Sequence, residues 1–222
     1  MVVKKVFFLY NALIIKLPEN TMYVVCLDLE GVVVPEIWIS VAIKTGNDEL
    51  KLTTRDISDY DVLMNRRIKI LKEHDLTLMD IQKVISEMDP LPGAGKFLDM
   101  LREQTQVVIL SDTFTQFASP LMRKLKWPVI FCNQLVTDTK GGITGYRLRQ
   151  NDGKKHAVKA FHSMGMKVLA AGDSYNDLTM LREADSGILF CPPENIVKEN
   201  PDLPAVYDYE RLYEEITSVT GD

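Results

Sequence analysis

The sequence predicts an α/β fold: a Rossmann-like core of three α/β/α layers on a parallel sheet, with a small helical cap and a β-hairpin. Short, continuous apolar runs, such as residues 23–27, 106–110 and 167–171, are typical of strands that are buried on both faces. Helical patterns separate these runs, and strands that alternate with helices favour a parallel sheet covered on both sides. The 222 residues suffice for one such domain with an insertion.

Residues 1–21 precede the first strand and are interpreted as an N-terminal extension. Lys4 and Lys5 are followed by an apolar stretch, which is the order of a signal peptide. The stretch is too short to span a bilayer, and no small-residue cleavage pattern follows it. Met22 stands directly before the strand, so a translated extension, a targeting element and a true start at Met22 all stay open.

Two carboxylates and a glycine follow the first strand, as Asp28, Glu30 and Gly31. Open parallel sheets bind ligands beyond the carboxyl ends of their strands, which places both acids at that edge. Side chains alternate along a strand, so Asp28 and Glu30 are expected to point into the same site. Taken alone, acidic residues after a strand are more often turn formers or helix caps.

Residues 35–90 carry helical patterns over about 36–44, 59–73 and 77–88 and show no strand pattern. Pro35 suits a first helical turn, and Glu36 suits the positive end of a helix dipole. In the second helix, Leu63, Ile70 and Leu71 are expected on an apolar stripe and the basic residues Arg66 and Arg67 elsewhere. We therefore divide the chain into a catalytic core of residues 22–34 and 91–222 and a helical cap of residues 35–90, which could act as a lid.

The rest of the core returns to alternating helices and strands. We predict helices over 94–103, 115–125, 154–164, 178–184 and 207–218, strands over 106–110, 128–132, 167–171 and 186–190, and a hairpin of 134–138 with 143–148.

Composition excludes several classes of function. A net charge of −5 argues against a nucleic-acid-binding surface. A hydrophobic fraction of 46% with 26% charged residues is ordinary for a soluble globular protein, and no membrane association is expected. Three cysteines without a CxxC pair fit a reducing, cytoplasmic environment without a disulfide framework. The sequence is compatible with a homodimer, although no stretch indicates one.

Polar residues of complementary chemistry follow three of the predicted strands. Carboxylates gathered at such a place suit Mg²⁺, while a serine hydroxyl and a lysine suit phosphate oxygens. A carboxylate can attack phosphorus, and a second one can act as general acid and base. The residues concerned are Asp28, Glu30, Ser111, Lys154 or the adjacent Lys155, Asp173, Asn176 and Asp177.

These residues form four ordered motifs that resemble those of the haloacid dehalogenase-like phosphatases. The motifs are Asp28-x-Glu30-Gly31-Val32, Ser111 after an apolar strand, Lys154, and Gly172-Asp173-Ser174-x-Asn176-Asp177. The resemblance covers about residues 22–205 and is greatest to phosphoserine phosphatases of the bifunctional phosphoserine phosphatase/homoserine phosphotransferase type. Features particular to that type are Asp-Leu-Glu-Gly at 28–31, Val34-Pro35-Glu36-Ile37-Trp38 and Ser111-Asp112-Thr113.

The resemblance implies a role for each matching position. Asp28 is the nucleophile and a Mg²⁺ ligand, Glu30 is the acid/base with its backbone carbonyl on the metal, and Asp173 is the remaining carboxylate ligand. Asp177 would orient metal-bound water or Lys154. The phosphoryl group would be held by Ser111, Asp112, Lys154 and Asn176, and from the cap Glu36 would meet the substrate's ammonium and Arg67 its carboxylate.

The function implied is hydrolysis of O-phospho-L-serine in serine and threonine metabolism, with homoserine as an alternative acceptor. Two alternatives stay open: a phosphatase for another small phosphomonoester, and a non-enzymatic binding domain on the same fold. A dinucleotide-binding domain is disfavoured because no G-x-G-x-x-G follows the first strand.

Overall fold

The computed structural model describes residues 21–54, 56–57 and 59–220, so all of the predicted N-terminal extension except Thr21 lies outside the described residues. Within them, seven strands form one sheet. They are β1 (Tyr23–Leu27), β2 (Gln106–Phe114), β3 (Val129–Thr137), β4 (Ile143–Arg147), β5 (Lys167–Gly172), β6 (Ser186–Phe190) and β7 (Ala205–Val206). Their order is β4-β3-β2-β1-β5-β6-β7, and every pair is parallel except β3 with β4.

Nine helices are found within the described residues. They are α1 (Ile37–Thr45), α2 (Tyr60–Glu73), α3 (Leu78–Glu87), α4 (Ala94–Gln104), α5 (Thr115–Lys124), α6 (Gly153–Ser163), α7 (Leu178–Glu183), α8 (Glu194–Glu199) and α9 (Tyr209–Thr220). None of them combines the length and the apolar composition that a membrane crossing demands.

The central strand β1 is buried on both faces, as its apolar run predicts. Val25 and Leu27 join the apolar cluster that includes side chains of α4, α5 and α9. Val24 and Cys26 join a second cluster with side chains of α6 and α7. Because side chains alternate along a strand, one strand serves two cores, and the three-layer α/β/α architecture is confirmed.

Helices α1, α2 and α3 lie between β1 and α4 in the chain, and buried side chains of all three belong to one apolar cluster. α3 begins with a capping box, in which Thr77 and Asp80 satisfy each other's backbone N–H groups. The N–H of Leu78 donates to the carbonyl of Gly141 at 2.9 Å, which ties α3 to the turn between β3 and β4. The side-chain amide of Gln82 donates to the carbonyl of Gln116 at 2.8 Å and ties it to α5. This group of helices is therefore fastened to the hairpin and to the core.

The structure differs from the predicted elements in three places. β3 is one strand that pairs first with β2 and then with β4, where the sequence analysis predicted a strand and a separate hairpin arm. β2 continues through Ser111 to Phe114 with a register shift after Leu110, instead of ending at residue 110. α8 and β7 were missed, because elements of six and two residues are too short to show a period.

Candidate active site

The polar residues that follow three central strands meet at one edge of the sheet. β2, β1 and β5 are neighbours, so their carboxyl ends lie side by side, where open α/β sheets bind ligands. Asp28 follows β1, Ser111 lies towards the end of β2, and Asp173 follows β5. These three residues line a cleft of about 80 Å³, together with Glu30, Glu36, Arg67, Asp112, Lys154 and Asn176.

Lys154 is the buried cation of this cleft. It stands in the first turn of α6, where its Nζ lies 2.9 Å from Oδ1 of Asp28 and 2.7 Å from Oδ1 of Asp177. The next residue, Lys155, lies outside the cleft, with its Nζ 3.9 Å from Oε2 of Glu183. The structure therefore brings Lys154, and not Lys155, to Asp28.

Asp177 is fully buried and is bonded through both of its carboxylate oxygens. Its Oδ2 accepts the main-chain N–H groups of Asp173 at 3.0 Å and Ser174 at 3.1 Å, and its Oδ1 accepts from Lys154. A Cβ on Gly172 would lie closer than 3.0 Å to the Asp177 side chain, so this approach requires glycine. Asp177 thus orients both Lys154 and the turn that carries Asp173.

Charge and burial act together on the pKa values of this cluster. Burial raises the pKa of Asp28 well above its ordinary value, and Asp177 raises it further, while Lys154 lowers it. Burial would lower the pKa of Lys154, but Asp177, Asp28 and Asp112 together raise it well above its ordinary value. Lys154 is therefore cationic at neutral pH, and its charge favours the ionised form of Asp28.

Asp28, Asp173 and Asp177 form a carboxylate cluster whose chemistry suits a hard cation. Each offers one oxygen atom, and these atoms lie within 4.8 Å of one another. Mg²⁺ prefers oxygen ligands and typically uses one or two carboxylates. Both oxygens of Asp177 accept protein hydrogen bonds, and Oδ1 of Asp28 also accepts the main-chain N–H of Leu29 at 2.7 Å. The donor set therefore fits the Mg²⁺ expected from the sequence.

Gly31 permits the close approach of Asp173 to the loop after β1. Its φ is +77°, in the left-handed region, and a Cβ there would lie closer than 3.0 Å to the carboxyl group of Asp173. Gly46, at the end of α1, has a similar φ of +69° but no atom within 4 Å of a built Cβ. The two glycines share a backbone requirement, and only Gly31 has a steric one.

We expect Gly31→Ala to destabilise the protein more than Gly46→Ala. Both variants should lose about 1–2 kcal/mol because an L-residue enters the left-handed region. Gly31→Ala should lose a further amount of about 1–3 kcal/mol, since the methyl group displaces Asp173. Urea unfolding of both variants measures the difference. Equal losses would show that the contact with Asp173 is not tight.

Glu30 lines the cleft and connects it to α1. Its Oε2 accepts the main-chain N–H of Ile37 at 2.8 Å, so a site carboxyl group caps the first helix after β1. Burial raises the pKa of Glu30 to about 8, with a further contribution from Glu36, whereas the bond from Ile37 and the charge of Arg67 oppose the rise. At neutral pH Glu30 is therefore mainly protonated and can donate a proton.

Ser111 and Asp112 form the part of the cleft that comes from β2. Ser111 is buried, and its Oγ accepts the N–H of Thr113 at 3.1 Å, which leaves its own hydrogen to be donated into the cleft. The Oδ2 of Asp112 lies 3.8 Å from Nζ of Lys154 and accepts from Nδ2 of Asn176 at 3.1 Å. Asp112 and Asn176 thus connect β2 to the turn after β5.

Arg67 brings a buried guanidinium to the other side of the cleft. Its Nη2 donates to the carbonyl of Leu52 at 2.8 Å, and its Cζ lies 4.5 Å from the ring centre of Trp38. Its Nε is buried and has no hydrogen-bond partner among the described residues. Burial lowers the pKa of Arg67 to about 10, and Glu30, Tyr60 and Glu36 oppose that shift. A charged guanidinium that lines a cleft can receive an anionic group.

The prediction that Arg67 lies off the apolar stripe of α2 was wrong. Leu63, Arg67 and Leu71 are all buried and share one helix face at spacings of four. Arg66 points elsewhere and pairs with Glu49 at 2.6 Å on the surface. The four-residue spacing from Leu63 to Arg67 and Leu71 therefore indicates the buried face, even though Arg67 is charged.

Three further residues line the cleft and were not predicted from the sequence, namely Thr53, Thr54 and Tyr60. The threonines lie in an irregular loop that has no period to read. Tyr60 is the first residue of α2 and stands seven positions before Arg67, so helical spacing would have placed both on one face. Trp38 lines the cleft and also packs edge-on against Phe117.

Comparison with known proteins gives consistent matches. The family model of the haloacid dehalogenase-like hydrolases matches residues 22–185. The phosphoserine phosphatase ThrH of Pseudomonas aeruginosa is 58% identical over 200 residues, which cover 90% of this chain and 98% of that protein. A phosphoserine phosphatase of Pseudomonas syringae pv. tomato is 55% identical over 203 residues, which cover 91% of this chain and 86% of that protein.

Solved structures show the same fold. The phospho-aspartyl intermediate analogue of a phosphoserine phosphatase superposes with a TM-score of 0.71. The match covers 88% of this chain and 99% of that one at 22% sequence identity. At this identity the likeness bears on the fold alone.

Proposed function

The chain belongs to the haloacid dehalogenase-like hydrolase family, and we propose that it is a Mg²⁺-dependent phosphoserine phosphatase. It converts O-phospho-L-serine and water to L-serine and phosphate through an aspartyl-phosphate on Asp28. Its curated relatives at 55% and 58% identity carry the name phosphoserine phosphatase, which supports this substrate.

One observation carries the choice of an amino-acid phosphate over other esters. Arg67 and Glu36 line the same small cleft as Asp28. An arginine fork matches a carboxylate group, and a glutamate matches an ammonium group. A cleft that joins these two charges to a phosphoryl site fits a zwitterion with a phosphate ester.

The first half of the reaction transfers the phosphoryl group to the protein. A carboxylate oxygen of Asp28 forms a bond to phosphorus while the bond from phosphorus to the serine oxygen breaks. Glu30, whose pKa is raised by burial, gives its proton to the leaving oxygen, so that neutral serine departs. Ser111, Lys154 and Asn176 hold the phosphoryl oxygens in position.

In the second half, Glu30 takes a proton from water as the water oxygen attacks phosphorus. The bond from phosphorus to Asp28 breaks, and phosphate leaves with Asp28 restored. Asp28, Asp173 and the backbone carbonyl of Glu30 would hold Mg²⁺, with Asp177 behind them. The bound ion supplies positive charge that favours ionised Asp28 and neutralises charge on the phosphoryl oxygens.

The same site can pass the phosphoryl group to homoserine. Once serine has left, Glu36 and Arg67 remain available to a second amino acid, whose side-chain hydroxyl can replace water as the attacking group. Formation of O-phospho-L-homoserine from O-phospho-L-serine and homoserine, followed by ³¹P NMR, tests this transfer. A cytoplasmic location and a homodimer stay predictions from the sequence.

A panel of small phosphomonoesters tests the proposed function directly. Phosphate release is measured with Mg²⁺ and with EDTA for O-phospho-L-serine, O-phospho-L-threonine, O-phosphoethanolamine and glycerol phosphate. We expect preferential, Mg²⁺-dependent turnover of O-phospho-L-serine. Preference for another ester would keep the chemistry and reject the assignments of Glu36 and Arg67. A folded protein that is inactive on the whole panel would support a binding domain instead.

We expect Arg67→Ala to lower kcat/KM for O-phospho-L-serine by roughly 10²-fold or more, since a buried partner of the substrate carboxylate is lost. For O-phosphoethanolamine, which lacks the carboxylate, kcat/KM should fall much less in Arg67→Ala. Arg66→Ala is the matched control, because Arg66 is adjacent but forms a surface pair with Glu49. If both substrates lose equally in Arg67→Ala, Arg67 does not bind the carboxylate.

A further inference from the structure

Tyr60 links α2 to the phosphoryl-binding side of the cleft. Its hydroxyl donates to the main-chain carbonyl of Asp112 at 3.1 Å, and its ring lines the cleft. The ring packs edge-on against Tyr146 of β4, with the ring centres 5.7 Å apart. A residue at the start of a cap helix thus touches the residue that directly follows Ser111.

The carbonyl of Asp112 is held from two sides. Tyr60 donates to it from α2, and Nδ2 of Asn133 donates to it from β3, also at 3.1 Å. Burial raises the pKa of the Tyr60 phenol, and the charge of Asp112 raises it further, so the hydroxyl remains a donor at neutral pH. The bond from Asn133 fixes segment 111–113 of β2 within the core, and the bond from Tyr60 fixes α2 to that segment.

Arg67 lies seven residues after Tyr60 on the same helix. Seven residues are about two helical turns, or roughly 10 Å of axis, and they return to the same face. Both residues line the same cleft, Tyr60 next to Asp112 and Arg67 next to Trp38. Because an intact helix keeps its length, the bond from Tyr60 to Asp112 also sets the distance between Arg67 and segment 111–113 of β2.

We propose that the hydroxyl of Tyr60 is a positioning group, which sets the distance between Arg67 and the phosphoryl-binding segment 111–113 of β2. Through this distance, Tyr60 selects substrates by length. The inference rests on the proposed function, in which Arg67 binds the substrate carboxylate and Ser111 the phosphoryl group. With α2 anchored, the cleft accepts an ester whose carboxylate and phosphate are separated as in O-phospho-L-serine. A substrate one methylene longer is held less well.

A second contact at the same end of α2 provides a matched control. The hydroxyl of Tyr146 bonds to the carboxylate of Asp61, the residue after Tyr60. This bond connects α2 to β4 and does not involve segment 111–113 of β2. Tyr146→Phe therefore weakens the attachment of α2 in general, whereas Tyr60→Phe releases it from Asp112 in particular. Both changes keep the aromatic ring and remove one oxygen atom.

The experiment compares three substrates in the wild-type protein, Tyr60→Phe and Tyr146→Phe. In Tyr60→Phe we expect kcat/KM for O-phospho-L-serine to fall about tenfold, equivalent to about 1.4 kcal/mol. O-phosphoethanolamine, which cannot use Arg67, should stay within about twofold. The preference for O-phospho-L-serine over O-phospho-L-homoserine should shrink. Tyr146→Phe should change none of these ratios.

The outcomes separate this inference from the proposed function. If the wild type turns over O-phospho-L-serine and Tyr60→Phe leaves the substrate ratios unchanged, or lowers all three rates equally, the positioning role is overturned and the function stands. Equal changes of the substrate ratios in Tyr60→Phe and Tyr146→Phe would likewise overturn the positioning role, because Tyr60 would then only help to attach α2. A wild-type protein that ignores O-phospho-L-serine overturns both.

Discussion

Replacing Asp28 by Asn should reduce the turnover of O-phospho-L-serine by roughly 10⁴-fold or more. An amide cannot act as the nucleophile, so no aspartyl-phosphate can form. The change keeps the shape of the side chain and removes one negative charge from the buried cluster of Asp28, Asp173 and Asp177. The variant is therefore expected to fold, and its inactivity would report on chemistry.

Two measurements make this prediction decisive. Acid quenching of the wild type with ³²P-labelled O-phospho-L-serine should trap an acid-stable, alkali-labile phosphoprotein, which Asp28→Asn should not form. The matched control is Asp99→Asn, since Asp99 pairs with Lys126 and Arg102 near the surface and does not line the cleft. Its activity should equal that of the wild type. Labelling that persists in Asp28→Asn would assign the nucleophile to another residue.

Replacing Lys154 by Met should remove activity and destabilise the fold by about 3–5 kcal/mol at neutral pH. Lys154 is the cation that lies within 3 Å of both Asp28 and Asp177. Without it these buried carboxylates face each other uncompensated, and the methionine cannot hold a phosphoryl oxygen. The loss of folding free energy reports the cost of leaving the buried carboxylates unpaired, and not the net contribution of the ion pair to stability.

The loss in Lys154→Met should also depend on pH with a definite sign. Lys154 lowers the pKa of Asp28, so removing Lys154 raises that pKa further above its unfolded value of about 3.8. A group whose folded pKa is raised binds protons more tightly in the folded state, so stability falls as pH rises between the two pKa values. The wild type stops losing stability at its own, lower Asp28 pKa, so the deficit of Lys154→Met relative to wild type should grow as pH rises beyond that pKa, and it should be no smaller at pH 8 than at pH 5.

Urea unfolding of metal-free protein at both pH values checks this sign. Lys155→Met is the matched control, because Lys155 is next in the chain but lies 3.9 Å from Glu183 at the surface. It should cost less than about 1 kcal/mol and show no such dependence on pH. A deficit in Lys154→Met that is smaller at pH 8 than at pH 5 would contradict this sign.

The strands and the motif residues that follow them could be read from local patterns. The apolar run before Asp28 predicts a strand buried on both faces, and the structure divides its side chains between two cores. Asp28, Ser111 and Asp173 each follow or end such a run, so their meeting at one edge needs only that their strands be neighbours. These predictions depend on a few consecutive residues, which a sequence displays directly.

Other features depend on pairs of residues that are far apart in the chain. The choice of Lys154 over Lys155 is decided by distances to Asp28 and Asp177, which lie 126 and 23 residues away. The burial of Arg67 depends on Trp38 and Leu52, which pack against its guanidinium. No local pattern encodes such distances.

The sequence by itself determined the α/β class, the four motifs and the carboxylate chemistry of the site, because each is carried by residue type and short spacing. Only the tertiary structure decided that Tyr60 reaches Asp112 and that Arg67 keeps a buried N–H without a partner among the described residues. Those contacts join segments whose approach is set by the packing of helices α1 to α3 on the hairpin and the sheet. Packing of this kind is a sum over many distant contacts, which no single stretch of sequence contains.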